Sequence, residues 1–81
     1  MVWFFARGDE AVRVETRFDN VAREFILEIT RPDRSVDTKR FSDRAAFQTH
    51  LETIEAQLAA DSFVQVSAEL LPPAWRGPFT N

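Results

Sequence analysis

Residues 42–60, SDRAAFQTHLETIEAQLAA, are the one stretch of this chain that reads as a helix on every count. They contain no Gly or Pro, and Ser42 is a residue type that caps helix N-termini. Phe47, Leu51, Ile54 and Leu58 recur at steps of four, three and four residues, one stripe of a 3.6-residue period. Gln48, Thr49, Glu52, Glu55 and Gln57 take the opposite side. A helix with a single apolar stripe must lay it on another layer, and the residues before it must supply that layer.

Those residues read as strands. Residues 2–7, VWFFAR, are apolar on both faces, and Gly8-Asp9-Glu10 is a turn signal. Residues 11–18 then alternate, with Val12, Val14, Thr16 and Phe18 on one side and Arg13, Glu15 and Arg17 on the other. After a turn at Asp19-Asn20, a third strand over residues 21–31 shares Val21, Phe25, Leu27 and Ile29 on one face, with Arg23 interrupting. Its other face carries Ala22, Glu24, Ile26, Glu28 and Thr30. Residues 31–35, RPDRS, form a turn in which Pro32 fixes φ. A tight hairpin here calls for Gly or Asn near Arg34 at positive φ, and neither is present, so the turn type stays open. Residues 36–41 are short and polar, as edge strands are. Residues 63–70 alternate weakly and suit a short fifth strand.

The expected fold class is α+β: an antiparallel four-stranded meander in the order β-β-β-β-α, with the helix across one face, a short fifth strand and an extended C-terminal tail. Residues 1–70 form the domain. Residues 71–81, LPPAWRGPFTN, hold three prolines and a glycine that exclude helix or central strand. The tail is expected to dock on its own or a partner subunit.

A chain of 81 residues sits near the lower size limit of a self-sufficient core, so oligomerisation is an expected source of stability. Eight Phe and two Trp are enough to fill one core. The absence of cysteine removes disulfides, thiolate metal sites and cysteine nucleophiles, and fits a reducing compartment. MVWFFAR is too short for a signal sequence and no run approaches the ~20 apolar residues of a membrane span, so the expected location is the cytoplasm, with no membrane partner. Net charge is −3: residues 1–40 carry eight basic and eight acidic side chains, and residues 41–81 two and five. A protein that holds nucleic acid by its phosphates usually has a basic excess, which this chain lacks.

The sequence points to no catalytic machinery. His50 is the sole histidine, and the positions four residues away, Ala46 and Ile54, cannot complete a helical metal site. Glu52 and Glu55 read as solubilising charge on the outer helix face. No Gly-rich phosphate loop, Ser-centred elbow or metal-ligand cluster exists, so no cofactor or metal is expected and the chain is read as non-enzymatic.

The informative feature is the sheet face turned away from the helix. If Val2 and Phe4 face the helix, Trp3 and Phe5 point outward beside Ile26, an apolar patch that needs a cover. Three covers are open: the tail, with Trp75 and Phe79 on Trp3 and Phe5; a second copy; or a ligand, peptide or nucleic acid. The leading reading is a small self-associating interaction module, a homodimer or the binder of a protein partner, using Trp3, Phe5, Ile26, Trp75 and Phe79. The second is a single-stranded nucleic-acid binder that uses Arg13 and Arg17 beside those aromatics. Its strand-and-helix order is similar to that of the Pur-type binders, a likeness of topology with no matching motif.

Overall fold

The computed structural model describes residues 1–67. Five strands and one helix follow in chain order: β1 (Val2–Arg7), β2 (Glu10–Asp19), β3 (Glu24–Thr30), β4 (Val36–Phe41), α1 (Arg44–Ala60) and β5 (Val64–Val66). The strands form one antiparallel sheet in the order β4-β3-β2-β1-β5, and α1 packs on one face of it. The architecture is the expected α+β meander. The chain leaves β4 at one edge, crosses the sheet as α1, and returns as β5 at the other edge, beside β1.

All four residues of the helical stripe meet the sheet. Leu51 and Ile54 are buried, Phe47 and Leu58 are half-buried, and they close on Val12, Val14, Leu27 and Phe63. Leu27 and Val14 lie at the centre of this core, at 0% and 1% exposure. The N-cap is Asp43, one residue later than expected. Its carboxylate accepts from the Ala45 and Ala46 backbone N–H groups, each at 3.3 Å, bonds that the shorter Ser42 side chain, a residue further out, does not make. At the other end the Ser62 N–H donates to the Ala59 carbonyl (3.1 Å) and the Phe63 N–H to the Leu58 carbonyl (2.9 Å). This pair of bonds is a Schellman closure, with Ser62 at the left-handed position (φ 68).

One expectation is reversed. Trp3 and Phe5 lie opposite Val14 and Val12 and pack against the core on the helix side, while Val2, Phe4 and Ala6 take the outer face. The cause is turn length. A turn over Gly8, Asp9 and Glu10 would pair Arg7 with Ala11; the observed turn holds only Gly8 and Asp9 and pairs Arg7 with Glu10. Gly8 at φ 58 supplies the positive φ that a two-residue hairpin needs at its first central position. One residue of register carries every side chain of β1 to the other face.

The other turns differ in detail. Residues 20–23 form a loop between Asp19 and Glu24, so β3 starts three residues later than expected and Val21 stands 97% exposed in the loop. The Asp19 carboxylate accepts from the Val21 and Ala22 N–H groups (2.9 and 3.1 Å), and Arg23 closes the loop at φ 56. Arg23 broke the expected alternation because it belongs to a turn. At residues 31–35 the Arg34 N–H donates to the Arg31 carbonyl (2.8 Å) and the Arg31 N–H to the Ser35 carbonyl (2.9 Å). Arg34 takes φ 72, so the positive φ required there falls on an arginine. The fifth strand ends at Val66; residues 68–81, with the tail and the end of the expected domain, lie outside the described residues.

Candidate functional site

The register sorts the charged side chains. On the outer face Arg13 lies opposite Thr30, Glu15 opposite Glu28, Arg17 opposite Ile26 and Asp19 opposite Glu24. Two like-charge pairs therefore face each other across β2 and β3, and three arginines hold them. Arg13 and Arg17 each approach both Glu15 and Glu28, at 3.5 and 3.8 Å for Arg13 and at 3.2 and 3.7 Å for Arg17. Arg40, from β4, sits 3.3 Å from both Asp19 and Glu24. Asp19 is held below the usual aspartate range, first by the Ala22 N–H bond, then by Arg40 and the Val21 N–H. Arg40 is raised by hydrogen bonds to Asp19 and Glu24.

This arrangement bears on each expected site residue. Ile26 does lie on the outer face, but it is buried, with the long side chains of Arg17 and Arg40 as its cross-strand neighbours. Trp3 and Phe5 belong to the core side, so the expected outer patch of Trp3, Phe5 and Ile26 is not assembled. Trp75 and Phe79 lie outside the described residues. Arg13 and Arg17 are brought together as expected, within a network containing as many carboxylates as guanidinium groups. A phosphate would have to compete with Glu15 and Glu28 for them.

The sequence reading missed an aromatic cluster at the N-terminal end of α1. Phe25 stacks on Phe47 with ring centroids 5.0 Å apart, Phe18 meets Phe25 edge-on at 5.0 Å, and Phe41 approaches Phe47 at 6.0 Å. The signal was present in the strand phases of Phe18, Phe25 and Phe41, which share the helix side. His50 completes the cluster, half-buried with its ring 5.3 Å from Phe41.

At the other end of α1 a groove of about 290 Å³ opens over Val12, Ile29, Ile54 and Phe63, with Arg7 and Arg31 at its rim. Arg7 is committed within the fold. It donates to the Asp61 carbonyl (2.8 Å) and to Glu10 (2.7 Å), and its guanidinium lies 4.6 Å from the Phe63 ring centroid. It fastens the first hairpin to the end of the helix. The groove lies just under the roughly 300–1,000 Å³ of ordinary ligand sites.

The remaining surface feature is an edge. β4 ends the sheet, and among the described residues no strand pairs with its outer side. Val36 on that strand is 57% exposed, and Lys39 is exposed with no ion pair among the described residues. Also among the described residues, no group of three or more His, Cys, Asp or Glu is placed to hold a metal ion, and no helix is long and apolar enough to cross a membrane. Comparison of the chain with protein-family models, with curated proteins and with solved structures finds no match.

Proposed function

We propose that this domain is a non-enzymatic interaction module that works by self-association. The observation that carries the reading is the β4 edge, a full strand whose outer backbone groups have no partner strand among the described residues. Such an edge is a template for another chain, because main-chain hydrogen bonds to it need no special side chains.

The nucleic-acid reading has less support. Its two basic candidates, Arg13 and Arg17, are engaged by Glu15 and Glu28, and its aromatic candidates, Trp3 and Phe5, face the core. Light scattering over a wide concentration range tests the proposal: mass should rise from monomer towards dimer. Titration with single-stranded oligonucleotides at low salt should show no binding. A constant monomer mass would refute the proposal, and tight, salt-sensitive oligonucleotide binding would favour the second reading.

A further inference from the structure

We propose that β4 is the dimerisation edge, pairing antiparallel with β4 of a second copy in a register centred on Thr38. This rests on the self-association reading and names its site and partner. Two identical strands joined antiparallel in one sheet are related by a two-fold axis along the sheet normal. Both copies then keep their helices on the same side, and opposed residues must share a face. The axis therefore passes through a residue, not between two.

The sequence of β4, VDTKRF, leaves one good choice of that residue. An axis at Asp37 opposes two aspartates, one at Lys39 two lysines, and one at Arg40 two arginines. An axis at Val36 runs the ladder into the turn at residues 31–35, and one at Phe41 runs it into the capped start of α1. An axis at Thr38 opposes threonine with threonine, sets Asp37 against the partner's Lys39, and sets Lys39 against the partner's Asp37. Threonine pairs and opposite-charge pairs are both favourable across strands.

The side chains are placed for this register. Asp37 and Lys39 lie opposite Ile29 and Leu27 and so share the helix side, while Thr38 lies opposite Glu28 on the outer face. Asp37 has Arg31 at 3.3 Å, and its carboxylate retains acceptor capacity for a second cation. A lysine on an edge strand ordinarily discourages pairing. Here the Asp37/Lys39 spacing rejects the registers on either side and satisfies the central one. Because the paired segment is short, the dimer should be concentration-dependent.

The chain contains no cysteine, so a single introduced thiol reports on one position. Thr38→Cys places two sulfurs across the axis, where opposed Cα atoms lie about 4.5–5.5 Å apart, within disulfide reach. Val36→Cys and Arg40→Cys are the controls, since each lies roughly 13 Å from its own copy in this register. Under mild oxidation of the full chain, Thr38→Cys should link into dimer and the controls should stay at background. Asp37→Lys and Lys39→Asp should each weaken dimerisation at least tenfold, and the double exchange should restore it. A wild type that dimerises while Thr38→Cys links no better than the controls, or while the double exchange fails to rescue, overturns the β4 register and leaves self-association standing. A wild type that stays monomeric at every concentration, with no Thr38→Cys link, overturns both.

Discussion

Replacing Ser62 with glycine should stabilise the domain, and the gain follows from one backbone angle. Ser62 sits at φ 68 in the Schellman closure of α1, where its N–H and that of Phe63 satisfy two terminal helix carbonyls. A side chain in the left-handed region costs roughly 1–2 kcal/mol because Cβ crowds the following carbonyl. Glycine removes that cost but gives up about 0.5–1 kcal/mol more chain entropy on folding. The Ser62 side chain is exposed, so its loss removes no packing and both closure bonds remain. The net expectation is a gain of about 0.5–1 kcal/mol, which for a domain this small raises Tm by about 2–8 °C. Thermal unfolding by circular dichroism, with urea titration beside it, measures this directly. Ser62→Ala is the control and should change stability by less than about 0.5 kcal/mol, because it retains Cβ. An unchanged or lower Tm for Ser62→Gly would mean that the helix does not end in the left-handed closure, and the argument would fail. Arg23, at φ 56 in a separate turn, offers the same test, and the two glycines should add to within about 0.5 kcal/mol.

Three further outcomes are expected. Leu27→Ala should cost about 3–5 kcal/mol and Ile54→Ala about 2–4 kcal/mol in urea unfolding, since both leave cavities where sheet and helix meet. Asp43→Ala should cost about 1 kcal/mol by removing the acceptor for two N–H groups, while Ser42→Ala should change little, which tests the position of the cap. Asp19 is held below its ordinary value, so its contribution is present in full above the unfolded aspartate range and is lost as pH falls through the lower folded value. Urea midpoints of wild type and Asp19→Asn should therefore differ near neutral pH and converge in acid; a gap that widened in acid would contradict the assigned bonds.

The candidate edge was legible in the sequence as a short polar strand, but its place at the end of the sheet required the topology. The outer-face network was half legible: alternation puts Arg13, Glu15 and Arg17 on one face of β2, whereas Glu28 is set beside them by the pairing of β2 with β3. The positions of Asp43 and Ser42 could not be ranked from residue type alone, since both are good caps and only the carboxylate geometry separates them.

The sequence by itself determined the elements whose two faces differ in polarity. The 3.6-residue stripe oriented α1, and alternation oriented β2 and the second half of β3, because burying an apolar side chain is favourable and burying an unpaired charge is costly. VWFF carries no such contrast, so either face of β1 could meet the core on composition alone. The two-residue turn at Gly8-Asp9 decided it, by pairing Arg7 with Glu10 and carrying Trp3 and Phe5 under the helix. The place of β5 beside β1 was likewise a tertiary result, set by the crossing of α1 from one sheet edge to the other, which no local pattern encodes.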